Sequence, residues 1–137
     1  MQPILLDTCA AIWLAEDAPL AQSALDLLAA AADVDMSTYV SPITAWEIGM
    51  LVARSRLKLL ITPQRWLQRL LEVPSVRLAD MSPDLLIASS FLPGDPPRDP
   101  ADRIIVATAR DCGATLITRD HALLAYGEQG HIRVEAC

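Results

Sequence analysis

The sequence predicts an α/β fold: a three-layer α/β/α sandwich around a central, mostly parallel sheet of four to five strands. Three observations predict it. Short apolar runs alternate with helix-length segments along the chain, the pattern of strands joined by helical crossovers. The first run, Ile4-Leu5-Leu6, is apolar without alternation, as expected of a strand buried on both faces. Helix-start signatures recur at Ser41-Pro42, Thr62-Pro63, Ser82-Pro83 and Asp99-Pro100, each an oxygen-bearing cap followed by proline at the first helical position.

Residues 3–7 form the first predicted strand. Residues 8–16 read as a helical turn or two, with Ile12, Trp13 and Leu14 apolar. Pro19 restarts the chain into a helix over 20–32, rich in Ala and Leu. Residues 36–40 suit a second strand. The Ser41-Pro42 helix runs to about Arg54, and the Thr62-Pro63 helix to about Leu71. Residues 75–79 suit a third strand, and Ser82-Pro83 starts a helix ending near Phe91. Residues 92–100 hold four prolines and a glycine, so they read as a restricted loop rather than a flexible linker. A helix over 100–112 follows, with Gly113 as its C-cap. Residues 114–118 form a fourth strand, 120–126 a short helix, and 131–134 a last strand after Gly130. There is no internal repeat.

The 137 residues fit one domain, 1–137, with a sizeable core. Hydrophobic residues make up 53% and aromatics only 4%, so the core is built from Leu, Ile, Val and Ala. No apolar run approaches the roughly 18 residues of a membrane span. The N-terminus lacks a basic region, and Asp7 interrupts its apolar stretch, against a secretory signal. Three cysteines, with no CxxC pair, fit a reduced, cytoplasmic setting. The net charge of −6 argues against a constitutive nucleic-acid binder. Arg54, Arg56, Lys58, Arg65 and Arg69, within 16 residues, are the exception. They form either a solvated face or a surface for nucleic acid or a partner.

Four acids sit where apolar patterning disfavours a solvated charge. Asp7 ends the first strand and Asp120 follows the fourth; each also reads as a helix N-cap. Asp99 reads as the N-cap of the helix opened by Pro100, with Asp102 in its first turn. Asp102 shares a helix face with Ile105, Val106 and Ala109, which directs it inward. Glu47 lies on one face with Ile43, Met50 and Leu51, so the alternative for it is a buried stem with a solvated head. Converging carboxylates without histidine point to Mg²⁺ or Mn²⁺. His121 and His131 are not at metal-ligand spacing, and no phosphate-cradling glycine loop is present. A receiver-like signalling domain also gathers acids around Mg²⁺, but it needs a nearby lysine, and the single lysine, Lys58, falls in a predicted helix–helix connection.

The order Leu5-Leu6-Asp7-Thr8, Trp46-Glu47-Ile48, Asp99-Pro100-Ala101-Asp102-Arg103-Ile104-Ile105-Val106-Ala107 and Leu116-Ile117-Thr118-Arg119-Asp120 resembles the PIN-domain ribonucleases. More narrowly, it resembles the VapC-type toxins of bacterial toxin–antitoxin modules. The resemblance covers essentially the whole chain. It implies an acidic pocket at the carboxyl edge of a parallel sheet, where Asp7, Glu47, Asp102 and Asp120 bind Mg²⁺ or Mn²⁺ and support RNA cleavage. Asp99 matches an additional acid, and Thr8 and Thr118 match hydroxyls bordering the pocket. Arg103 and Arg119 are candidates for phosphate contact, with an outward ion pair as the alternative for each. The resemblance further implies a homodimer neutralised by a small antitoxin; a PIN fold serving only as a binding module is the alternative. The chain departs from the related pattern at Cys9, where histidine is common. Cys9 is expected to be a buried, non-catalytic thiol.

Overall fold

The computed structural model describes residues 1–16 and 20–137; the expected restart at Pro19 lies outside the described residues. The order of elements is β1 (Ile4–Leu6), α1 (Thr8–Ala15), α2 (Gln22–Asp33), β2 (Thr38–Val40), α3 (Pro42–Ala53), α4 (Pro63–Glu72), β3 (Val76–Leu78), α5 (Pro83–Ala88), α6 (Pro100–Cys112), β4 (Thr115–Thr118), α7 (His121–Glu128) and β5 (Arg133–Ala136). The strands form one sheet in the order β3-β2-β1-β4-β5, with every pairing parallel.

Strand alternation sorts the core onto two faces. Ile4, Leu6 and Ile117 pack with α1, α2, α3 and α4 residues such as Ile12, Ala24, Ile48 and Trp66. Leu5 and Leu116 point the other way, into a second cluster with Ile105, Val106 and Ala109 of α6 and Leu123 and Tyr126 of α7. Helices therefore cover both faces of β1 and β4, which explains why β1 is apolar throughout and β4 is apolar at Leu116 and Ile117.

The oxygen–proline signatures act as read. Ser41, Thr62, Ser82 and Asp99 each accept a bond from a backbone N–H in the first turn of their helix, and proline occupies the first turn. Gly113 ends α6 in the left-handed region, at φ +61°.

Several element ends shift by one to three residues from the sequence reading, and two of the shifts have a clear cause. The helix expected to reach Phe91 stops at Ala88, because the Ser89 hydroxyl donates to the Leu86 carbonyl and the next amides, Ser90 and Phe91, bond three residues back. The last strand begins two residues later than expected. Pairing with β4 fixes its register, Thr115 opposite Arg133, while Ile132 before it is spent on the α7-side core.

The loop before α6 is held in place. Tyr126 donates its hydroxyl to the Pro93 carbonyl at 2.7 Å. The Gln129 amide both accepts from Asp95 N–H (2.9 Å) and donates to Asp95 C=O (3.1 Å). Gly94 sits between them at φ +69°, where a Cβ would come within 2.6 Å of Gln129 Oε1 and of His131 Nε2.

The chain runs outward from β1 through β2 to β3, then crosses back to lay β4 on the opposite side of β1. This reversal is a topological switch point, and the crevice beyond the carboxyl ends of β1 and β4 is where such sheets bind ligands.

Candidate functional site

Asp7 follows β1 directly and Asp120 follows β4 after one residue, so both acids open onto that crevice. Glu47 enters from the second turn of α3, and Asp102 from the first turn of α6. The resulting cleft has a volume of about 210 Å³ and is lined by Asp7, Thr8, Cys9, Glu47, Asp99, Asp102, Ile105 and Asp120. All four principal acids and Asp99 thus reach one cleft. Thr8 lines it too.

Hydroxyls hold two of the carboxylates. Thr118, fully buried on β4, donates to Asp7 Oδ2 at 2.5 Å and accepts from the Asp120 amide at 3.0 Å. Thr8 donates to Glu47 Oε1 at 2.6 Å. Thr8 Oγ1 also lies 3.0 Å from Thr44 Oγ1. The single Thr8 proton is committed to Glu47, so Thr44 donates to Thr8. Thr44 was not singled out from sequence. It is fully buried and sits one helical turn before Glu47, so the spacing i, i+3 was the available signal.

The helix-cap readings of these acids hold as well. Asp7 Oδ1 accepts from the Ala10 amide (2.7 Å), Asp99 Oδ2 from Asp102 N–H (3.1 Å) and Asp120 Oδ1 from Leu123 N–H (3.0 Å). Capping and ligation are compatible, because a cap consumes one oxygen of a carboxylate that has two. Glu47 Oε2, Asp120 Oδ2 and both Asp102 oxygens carry no hydrogen bond among the described residues.

Gathering these acids has an electrostatic cost. Burial pushes the Asp102 carboxyl up to about 7, and the charges of Asp99, Asp120, Glu47 and Asp7 add to the rise. Asp7 is raised by burial, partly offset by the Thr118 and Ala10 bonds. Glu47 is raised by burial, partly offset by the Thr8 hydroxyl.

Among the described residues, no three Asp, Glu, His or Cys side chains form a ready-made group for an ion. What fits a hard divalent cation is the donor chemistry: carboxylates and hydroxyls on one cleft, no histidine, and mutual repulsion that a cation would relieve.

Cys9 corrects the sequence reading. It is exposed at the cleft rim, because α1 turns Thr8, Ala10, Ala11 and Ile12 into the core and leaves Cys9 outside. The cleft walls still shield the thiol in part. That shielding, with the charges of Asp7, Glu47 and Asp120, pushes it up to about 11, so it stays protonated and unreactive at neutral pH.

Arg103 and Arg119 do not line the cleft. The Arg119 guanidinium stacks over Trp13, 3.1 Å from the ring centroid, and Arg119 Nε donates to the Cys137 carbonyl. The charge of Arg103 acts on the Tyr126 phenol, on the α7 side of α6. Arg54, Arg56, Lys58, Arg65 and Arg69 are all exposed along the end of α3, the α3–α4 connection and α4, and none lines the cleft. His121 is exposed. No helix among the described residues is long and apolar enough to cross a membrane.

Comparison with known proteins agrees with this architecture. Residues 4–129 match the PIN domain family. Ribonuclease VapC22 of Mycobacterium tuberculosis (strain H37Rv) is 34% identical over 127 residues, covering 92% of this chain and 93% of the relative. Among solved structures, VapBC2 from Rickettsia felis bound to a DNA fragment from its promoter superposes with a TM-score of 0.69 at 17% identity, covering 99% of each chain. DNA-bound VapBC from Salmonella typhimurium superposes with a TM-score of 0.61 at 21% identity, covering 99% of this chain and 98% of the other. At these identities the structural likeness speaks for the fold.

Proposed function

Because this chain belongs to the PIN-domain family, we propose that it is a ribonuclease of the VapC type, the toxin of a toxin–antitoxin pair. It cuts RNA phosphodiester bonds with the help of Mg²⁺ or Mn²⁺. The observation that carries this reading is the convergence of Asp7, Glu47, Asp102 and Asp120 on one cleft at the switch point of the sheet.

In this reading Asp7, Glu47, Asp102 and Asp120 hold the cation. When bound, the cation supplies charge neutralisation at the scissile phosphate and a water of lowered pKa. The chain's own groups do the positioning. Thr118 and the Ala10 amide each fix one oxygen of Asp7, a residue that lines the cleft, and each oxygen keeps a further lone pair. Thr8, backed by Thr44, fixes one oxygen of Glu47 and leaves the other open. Asp102 has no hydrogen-bond donor on its carboxylate among the described residues, so it adjusts to an ion or accepts a proton from water. Asp99 stays at the rim as the cap of α6. The chain is acidic overall, so cation binding and RNA binding are coupled.

The test is cleavage of RNA with Mg²⁺ or Mn²⁺, with chelator added, and with Asp7→Asn. Undiminished cleavage in chelator or by the variant would sink the proposal. A small antitoxin as partner and a homodimer belong to the same reading. Exposed Leu78 on edge strand β3, Leu86 and Ile87 on α5, and Phe91 beyond it offer apolar surface for a second copy.

A further inference from the structure

Beside the acidic cleft lies a second concavity of about 230 Å³, lined by Ile43 and Trp46 of α3 and by Asp99, Pro100, Ala101 and Ile104 at the start of α6. Asp99 belongs to both cavities, so they share a rim. Trp46 and Glu47 are consecutive on one helix and therefore project about 100° apart. Glu47 faces the cleft, and Trp46 faces the neighbouring concavity.

The chain has three tryptophans. Trp66 is buried, at 5% exposure, and Trp13 is covered by Arg119. Trp46 is 58% exposed, and among the described residues no ring or cation stacks on it. An indole left open has an unused π-face. The walls around it are aliphatic and the one charged neighbour, Asp99, is an acid. Such a surface repels a phosphate but accepts a neutral, flat, apolar-faced group. A nucleobase is that group, and stacking on an exposed aromatic is the usual way a protein grips a single-stranded base.

We propose that Trp46 is the stacking platform for the base of a nucleotide adjoining the scissile phosphate, and so a substrate-positioning residue. The proposal rests on the ribonuclease reading above and adds to it where the substrate strand runs: from the acidic cleft across Asp99 onto α3. Stacking tolerates every base, so Trp46 contributes affinity rather than a strict sequence code.

The experiment compares wild type, Trp46→Ala and Trp46→Phe on a short RNA that the wild type cleaves. It uses intact RNA and RNA made abasic at each nucleotide flanking the cut in turn. With intact RNA, Trp46→Ala is expected to raise KM on the order of tenfold, the size of one lost base stack, and Trp46→Phe to retain most of the affinity. One abasic substrate is expected to impose a similar penalty on the wild type and almost none on Trp46→Ala. Equal penalties on both enzymes would overturn the platform. So would an unchanged KM in Trp46→Ala accompanied by a shifted monomer–dimer equilibrium in sedimentation, which assigns the surface to a protein contact. Wild-type cleavage that survives chelator sinks the underlying reading instead, which separates the two failures.

Discussion

Thr118 and Asp7 meet through a hydroxyl–carboxylate hydrogen bond that spans 111 residues of sequence. The same hydroxyl accepts from the Asp120 amide, so one buried side chain ties together the acids that follow β1 and β4. Thr118→Val keeps the shape and removes both bonds. It leaves a buried carboxylate oxygen and an amide short of a partner, at a cost of about 1–3 kcal/mol. Urea melts are expected to show that loss, and RNA cleavage is expected to fall by about tenfold or more because Asp7 is no longer oriented. A variant with wild-type melting and cleavage would refute this role for Thr118.

Thr44 acts on Glu47 only through Thr8. Thr44→Val and Thr8→Val are therefore expected to be strongly non-additive, with a coupling of about 0.5–3 kcal/mol in a double-mutant cycle on cleavage rate. Additive effects would break the proposed relay.

The metal-free protein is expected to lose stability as pH rises from about 4 to about 7. The sign follows from Asp102, whose folded pKa is raised from 3.8 to about 7. In that window the folded state holds a proton that the unfolded state has released, so rising pH favours unfolding. Asp7 and Glu47 are raised as well and act in the same direction. Thermal melts at stepped pH, with chelator, read this out. Added Mg²⁺ is expected to flatten the slope, because the cation replaces the protons. A chelated protein whose stability rises across this window would contradict the assignment.

Asp102→Asn is expected to separate stability from activity. It removes one of the mutually repelling charges and so stabilises the metal-free protein at pH 8, by about 1 kcal/mol once solvent screening is allowed for. The same variant is expected to lose RNA cleavage. Destabilisation at pH 8 would show that the carboxylate contributes to folding rather than to function.

Gly94→Ala tests the clasp that leads into the site. The added methyl enters a left-handed backbone position and collides with Gln129 and His131. A loss of about 1–2 kcal/mol is expected, with protease cutting appearing in the loop before Asp99. An unchanged melt would mean that the Asp95–Gln129 pair yields freely.

What the sequence disclosed depended on how local its cause was. Caps at Ser41, Thr62, Ser82, Asp99 and Asp120 were legible because a cap is decided by residues two or three apart. The unbroken apolar run of β1 was legible because helices cover both faces of that strand. Cys9 was misjudged because a thiol's usual preference for burial was outweighed by the orientation of one α1 turn, which its neighbours decide. Thr44 and Gln129 were missed for a different reason. Each bonds a group 34 or more residues away, and the one local hint, Thr44 a turn before Glu47, does not name Thr8 as the partner. That the acids converge was an expectation from residue order and family resemblance; the switch point between β1 and β4 is what brings them to one cleft.

The position of β1 in the sheet also has a consequence in time. β1 is synthesised first yet pairs on one side with β4, Leu6 opposite Ile117. While a ribosome is still making the middle of the chain, Asp7 is present but lacks both Thr118 and Asp120. A nascent chain cut short before β4 therefore lacks Asp120, the strand that flanks β1, and the Thr118 hydroxyl that holds Asp7 Oδ2. Competence for cleavage is thus expected to wait for β4, well after the first acid has been made.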